Sequence, residues 1–406
     1  MRDTGRKPRA LVVGLGIAGT AAALRLRQIG WEPVVVERAP ARRAGGYFVG
    51  VFATGVATAG RLGVLEKIGD RSSPEAVAYE VDRAGNRSKG IQYGELPGNP
   101  RTALRGDIEG ALFQALPEDL EVRYSTVPVH IAQDADAAHV TLRDTAAGTE
   151  TTEDFDLVVG ADGMRSTVRR LVFGPDANHL HALNYMIAVS LMSEQVPGFR
   201  PQDGLTLAEP GRSAWVFAFT NHAPSLLFSW RTEDIDAEFT RAPIDSVRAA
   251  YGPQAPGPIL GHLMTQFEQA EDFLFDSVHQ VRMKQWHHNR VVLLGDAAWC
   301  LTLYSGMGAS TAMAGADLLG TMLQRHSGDL PRALDAWQKR LSPFISHQLR
   351  SGVQMRQLFT PQDRAQQLQR SVFMRLRNAP LIGPVLKKQM SNSKDFKMKT
   401  VDIAAP

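Results

Sequence analysis

The chain has 406 residues, 44% of them hydrophobic and 21% charged, a globular composition with room for two or three domains that excludes a fibrous or wholly disordered chain. One cysteine, Cys300, rules out an internal disulfide framework and a cysteine-based zinc or iron–sulfur centre, and fits a reducing, cytoplasmic setting. The net charge of +3 conceals a basic end: residues 361–406 carry nine Lys or Arg against three Asp or Glu, which leaves the rest faintly acidic and argues against DNA as the main ligand.

That basic end invites nucleic acid or an anionic membrane as a partner. Its plainer reading is a solvated terminal helix and a loose end, with residues 391–406 dispensable for the chemistry. At the other end Arg2, Arg6, Lys7 and Arg9 precede a mostly apolar stretch over 10–24, which imitates a secretory signal. Gly14, Gly16 and Gly19 interrupt that stretch, and no run reaches the ~18 apolar residues of a membrane helix, so a soluble protein without an integral membrane segment is expected.

In chain order, residues 9–14 (RALVVG) read as a buried parallel strand, 17–30 as a helix closing on Gly30, and 33–37 (PVVVE) as a second strand. Strand, helix and strand in this span make a right-handed βαβ unit. A helix is expected over 55–69, a hairpin over 76–93 with its turn at Ala84–Gly85–Asn86, and an amphipathic helix over 105–116. Residues 121–160 read as a three-stranded meander (VRYSTVPVHIAQ, AHVTLRDT, DFDLVVG). Strands dominate 182–232 and helices 243–269. A strand near 277–285 leads to RVVLLG at 290–295, with His287-His288 as a solvated turn before it. Beyond that the chain reads as helical to about residue 390.

Gly14-Leu15-Gly16-Ile17-Ala18-Gly19 is a G-x-G-x-x-G between a strand and a helix. Gly14 permits the turn, Gly16 lets a pyrophosphate approach the backbone, and Gly19 lets helix and strand pack closely. The helix N-terminus supplies unpaired N–H groups and partial positive charge. Glu37 ends the second strand, where a carboxylate accepts ribose hydroxyls and repels a 2′-phosphate, so the site suits FAD or NAD and not NADP. The fingerprint does not separate FAD from NAD.

Two later segments do. Residues 156–170 (DLVVGADGMRSTVRR) end a strand in Gly160-Ala161-Asp162-Gly163. Residues 290–319 contain Gly295-Asp296 and a second glycine turn, Gly306-Met307-Gly308, opening a small-residue helix. This ordered set resembles the flavoprotein aromatic hydroxylases of the para-hydroxybenzoate hydroxylase type, the group A monooxygenases. The resemblance covers roughly 9–70, 100–175 and 285–340.

The resemblance implies an α/β fold. A Rossmann-like FAD-binding domain of the glutathione-reductase type would span 1–75, 100–175 and 285–345. An inserted β-sheet substrate domain would span 76–99 and 176–284, and a C-terminal helical segment with the basic tail 346–406. It implies FAD diphosphate and ribose contacts at Gly14, Gly16, Ile17, Ala18, Gly19, Glu37 and Arg38, and a nucleotide contact at Arg105. Asp162 matches a motif linked to FAD and the nicotinamide donor, and Asp296 the ribityl contact. Gly306, Gly308 and Ala309 match the turn facing the flavin pyrimidine edge. The sequence departs from the family pattern at Trp299, where relatives carry His, at Thr302-Leu303, where they carry Pro-Pro, and at Met307 and Ser310, where they carry Gln and Asn.

The activity so implied is NADPH- or NADH-dependent reduction of non-covalently bound FAD, followed by transfer of one oxygen atom from O2, through a flavin C4a-hydroperoxide, to a small aromatic or polycyclic substrate. The cofactor carries the hard chemistry, which agrees with the lack of a nucleophile triad or metal-ligand spacing. No catalytic base is assigned. Tyr47, Phe48, Trp215, Phe217 and Tyr304 are the substrate-pocket candidates. Trp215, Phe217 and Phe219 alternate at strand spacing and so share one face, although core packing is the stronger explanation of that pattern. A monomer or homodimer is expected. The alternatives are a flavin reductase of isoprenoid double bonds, a non-catalytic FAD-binding protein, and a flavin halogenase. The last lacks its W-x-W-x-I-P motif among the six tryptophans here.

Overall fold

Short valine-rich runs with no polar face are stable only when covered on both sides, and they build the first layer. The computed structural model describes residues 6–42, 45–92, 95, 96, 98 and 100–405. Arg2 of the N-terminal basic run and Tyr93 at the end of the expected hairpin lie outside them. A six-stranded sheet runs, from one edge, His287–His288, Val291–Leu293, Leu157–Gly160, Arg9–Val13, Glu32–Val36, Glu121–Arg123. Every neighbouring pair is parallel except the first. Leu11, Val12, Val35, Val158 and Val292 are fully buried; a side chain so covered contributes about 1.5–3 kcal/mol. Helices Ile17–Gln28 and Gly308–Arg325 pack against each other.

A second, seven-stranded sheet runs Phe273–Val281, Leu180–Leu191, His222–Arg231, Arg212–Phe219, Gly204–Glu209, Ala78–Val81, Arg87–Lys89. Alternation divides its residues between two faces. Ala214, Val216, Leu226 and Phe228 pack into one core with Val247, Leu260 and Leu263 of helices Pro243–Tyr251 and Gly257–Glu268. The other face carries Ser213, Trp215, Phe217, Ser225 and Ser229, and it meets the parallel-sheet half and the long Leu330–Phe359 helix.

The structure departs from the sequence expectations in five places. The three-stranded antiparallel sheet is Thr126–Gln133, Ala138–Asp144 and Thr149–Phe155. Leu157–Gly160 leaves it for the parallel sheet, where its apolar residues are buried on both faces. The helix expected over 55–69 breaks into Ala53–Arg61 and Leu65–Ile68, with Gly63 at φ +74° ending the first. The strand expected near 277–285 is Phe273–Val281. His287 is not in a solvated turn: it is buried, pairs in the sheet opposite Val292, and sits 3.2 Å from Asp335. Burial lowers its imidazole pKa against the pull of Asp335.

The fifth departure is the tail. Its end is no loose solvated segment. Ile403 and Ala404 are buried in the core of the parallel-sheet half. Asp402 pairs with Arg61 at 2.6 Å, the Ile403 N–H donates to Thr54, and Arg340 donates to the Ala405 carbonyl. Lys399 lies 4.7 Å over the Phe52 ring. Burial lowers the Lys399 ammonium to about 8, with Asp395 pulling the other way. These contacts form only after the chain has folded back across the molecule, which local pattern cannot report.

Candidate functional site

In an open α/β sheet ligands bind beyond the carboxyl ends of the strands. Four segments gather there: the Gly14–Gly19 turn after Arg9–Val13, Glu37 after Glu32–Val36, Asp162 after Leu157–Gly160, and Asp296 after Val291–Leu293.

The glycines of these turns fall into two kinds. Gly14 has φ +105°, and a Cβ there would meet the Ala161 carbonyl oxygen at 2.5 Å; at Gly19 it would meet the Gly14 carbonyl oxygen at 1.9 Å. Gly306 has φ +67° and lies against Phe52. The protein itself demands these three. Gly16 and Gly308 are different. A Cβ on Gly16 would meet only the tips of Glu109 and Arg105, at 3.8 and 3.9 Å, and one on Gly308 would meet nothing within 4 Å. Neither has a positive φ. Protein packing does not require these two glycines, and both leave a cradle that a side chain would fill. Ile17 and Ala18 open the Ile17–Gln28 helix, and Ala18 closes on Gly295.

Glu37 accepts the N–H groups of Leu15 and Ala39, each at 2.9 Å, which aligns it with the glycine turn. Arg38 is exposed and lines a concavity beside it with residues 39–42. Arg105 begins the Arg105–Gln114 helix and donates to Glu109 at 2.9 Å and to the Tyr47 hydroxyl at 3.3 Å. Tyr47 first, and then Glu109, keep the guanidinium pKa above its ordinary value despite burial. Asp296 is exposed by accessible area, yet desolvation by surrounding protein raises its carboxyl above the usual range, with Arg105 partly offsetting. An accessible side chain that is nonetheless desolvated stands within a deep cleft.

Asp162 is held within its own turn. One oxygen accepts the Ser166 hydroxyl at 2.5 Å, and the other accepts the N–H groups of Thr167 and Val168 at 2.6 and 3.1 Å. With Ser166, the N-cap residue whose hydroxyl accepts the Arg169 N–H at 2.9 Å, it satisfies the first N–H groups of the Thr167–Val172 helix. Burial raises its pKa.

The second glycine turn ends in the Gly308–Arg325 helix, whose first-turn N–H groups have no intrahelical acceptor. The family departures are all built in. Trp299 packs with Trp286 and Trp337, ring centres 4.7 and 5.7 Å away. Met307 is fully buried, and the Ser310 hydroxyl accepts the Phe52 N–H at 3.0 Å. Thr302 has φ +70°, a strained backbone for a β-branched residue, at the place of the missing prolines.

Beyond this turn lies an aromatic wall. Phe48 stacks on Phe217 with centres 4.1 Å apart and planes 7° apart, Phe217 stacks on Trp215 at 6.0 Å, and Trp215 meets Phe359 at a tilt, with centres 4.7 Å apart. Phe48, Trp215 and Phe217 are all half-buried. The Phe48–Val51 strand ties wall to turn: Phe48 starts it and Phe52, against Gly306, follows it. Tyr304, expected in the pocket, is buried instead. Its hydroxyl bonds Ser229 at 2.9 Å, and it packs with Tyr185 and Phe359. Phe359 had no signal in the sequence, since it lies far down a C-terminal helix.

Among the described residues no group of three or more His, Cys, Asp or Glu could hold a metal ion, and no helix is long and apolar enough to cross a membrane.

The profile of a family described as an FAD binding domain matches residues 7–347. A flavin-dependent monooxygenase of an unknown prokaryotic organism is 27% identical over 363 residues, 87% of this chain and 90% of that protein. The crystal structure of tetracycline destructase Tet(55) superposes with a TM-score of 0.74 at 25% identity, covering 91% of this chain and 95% of that one. Klebsiella pneumoniae HpxO, crystallised with FAD and uric acid, has the same fold, with a TM-score of 0.76 at 19% identity and 96% and 97% coverage. A cleft with two unforced glycines, an accessible carboxylate and a helix N-terminus suits a flavin dinucleotide, and NAD(P)H is the reductant typical of such proteins. The chain belongs to the FAD-binding-domain family and is an FAD-dependent monooxygenase.

Proposed function

We propose that this monooxygenase acts on a small, flat aromatic or polycyclic molecule laid against the Phe48–Phe217–Trp215 wall, in the cytoplasm, with NADH or NADPH as reductant. Bound non-covalently, FAD supplies the hydride and oxygen chemistry, with one oxygen atom of O2 entering the product and the other leaving as water.

The residues of this chain do the rest. Gly16 and the Ile17–Gln28 helix N-terminus would receive the diphosphate, Glu37 the ribose hydroxyls, Arg105 the nucleotide, and Asp296 the ribityl chain. Gly306, Gly308 and Ala309 would present N–H groups and a helix N-terminus to negative charge on the reduced ring. Asp162 would shape this edge by holding the Thr167–Val172 helix rather than by touching ligand. The division of labour largely follows the two sheets, with 76–99 and 176–284 supplying the substrate side together with Phe48.

The aromatic wall carries the substrate reading. Stacked rings offer a planar face on which a planar ligand buries area and gains aromatic contact. The test is turnover under labelled oxygen across phenols, polycyclic phenols and quinones, after stopped-flow reduction of the holoenzyme under nitrogen. One labelled atom per product and one NAD(P)H consumed support the reading. A product saturated at a double bond, formed without oxygen uptake, would establish the isoprenoid-type reductase reading instead. FAD retained with no NAD(P)H turnover for any ligand would favour the non-catalytic one.

A further inference from the structure

Six of the ten exposed large hydrophobic side chains among the described residues fall between 368 and 385: Leu368, Val372, Leu376, Leu381, Ile382 and Val385. The first three stand at i, i+4 and i+8 of the Arg364–Asn378 helix and therefore share one face. The opposite face already holds the helix down. Met374 is buried there, Arg370 pairs with Glu80 at 2.5 Å, and Arg377 pairs with Glu95 at 2.6 Å. The helix is thus docked by one side and carries a second, apolar side that the fold does not use. Leu381, 89% exposed, extends this ridge into the turn before the Gly383–Asn392 helix.

The charge along this segment is mainly positive. Residues 364–394 contain seven Lys or Arg and no Asp or Glu; Arg370, Arg377 and Lys387 pair with Glu80 and Glu95 on the docked side. Arg364 and Arg375 border the ridge at helical neighbour spacing, and Lys388 is exposed on the next helix. An apolar ridge flanked by cations matches an anionic lipid surface. Apolar side chains enter the boundary between headgroups and acyl chains, while cations stay at the phosphates. A second copy would bring two mainly cationic faces together in a self-complementary contact. Nucleic acid would attract the cations but leave the leucines with nothing to bury them.

We propose that the Arg364–Asn378 helix and the turn after it seat this enzyme on an anionic membrane surface as a peripheral protein. The proposal stands apart from the monooxygenase reading, since none of these side chains lies in the cleft.

The experiment is flotation of the full-length holoenzyme with phosphatidylcholine vesicles, with and without phosphatidylglycerol. Binding to the anionic vesicles should exceed binding to neutral ones at least about tenfold and fall as salt rises. The triple variant Leu368→Gln, Val372→Gln, Leu376→Gln should lose it, with FAD content and melting temperature unchanged. A second variant, Arg364→Gln with Arg375→Gln and Lys388→Gln, should flatten the salt dependence. No binding to anionic vesicles at low salt overturns the proposal, as does equal binding by the leucine variant. A dimer in light scattering that the leucine variant abolishes also overturns it and assigns the face to a second copy.

Discussion

On the parallel-sheet side the cleft is lined by backbone. Gly14, Gly16 and Gly19 bring a helix N-terminus to it, Gly306 and Gly308 bring another, and few side chains intervene. On the seven-stranded side it is lined by side chains, above all the stack of Phe48, Phe217 and Trp215. The two materials obey different rules. A backbone site forbids any Cβ and so leaves a fixed signature in the chain. A side-chain site can change its residues and keep its shape, so it adapts to a substrate without leaving a motif.

The comparison breaks most sharply at the glycines. Gly19→Val should not yield folded protein, because its Cβ would sit 1.9 Å from the Gly14 carbonyl oxygen; a loss beyond about 4 kcal/mol is expected. Gly16→Val and Gly308→Val should fold, since neither Cβ meets protein closely. They should nevertheless lose FAD affinity by more than about 100-fold. Circular dichroism and flavin content after gel filtration separate the two outcomes. If Gly16→Val retains FAD at the parent affinity, the backbone side does not bind as inferred.

The tail sharpens the contrast, because it touches both sides. Its Arg364–Asn378 helix rests on the seven-stranded sheet, with Gln367 donating to the Ala208 carbonyl, while Asp402 to Ala404 dock on the parallel-sheet half. Removing residues 400–406 should cost roughly 2–4 kcal/mol, by exposing the Ile403 site and leaving Arg61 with fewer partners. Thermal melts of the truncated protein measure this.

On the aromatic side the expected effects are smaller and confined to substrate. Trp215→Ala or Phe217→Ala should raise KM about tenfold, with FAD content unchanged. Loss of FAD in either variant would show that the wall belongs to the cofactor side.

The smallest effect is one of pH. Burial opposes ionisation of Glu95, but Arg377 and Lys387 outweigh it and lower its carboxyl from 4.5 to about 2. The unfolded chain therefore binds the proton more readily in that window. The contribution of Glu95 to stability is complete above pH 4.5 and is lost as the pH falls toward 2. Melting temperatures of the parent and Glu95→Gln should thus converge on acidification and diverge above pH 4.5. A constant gap would mean that Glu95 does not anchor the helices of the basic tail.

The βαβ unit and the glycine turns were legible from the chain alone, because local backbone geometry and strand ends impose those residue types at fixed spacings. The fingerprint with Glu37 pointed to FAD or NAD, and the choice of FAD came from the resemblance carried by the ordered set of later motifs. Only the tertiary structure separated Gly14 and Gly19, which packing demands, from Gly16 and Gly308, which it does not: a Cβ on Gly14 would meet Ala161, far away in sequence, and one on Gly19 would meet the Gly14 carbonyl across the folded turn. It also gave Asp162 a helix to cap, closed Tyr304 onto Ser229, and drew Phe359 to Trp215. His287 read as polar surface and Ile403 as a loose end because burial by a partner far away in sequence leaves no local trace. Hydrophobic periodicity states that a residue can be buried; which face finds a cover, and which is left open as along Leu368, Val372 and Leu376, is settled only when the long-range contacts form.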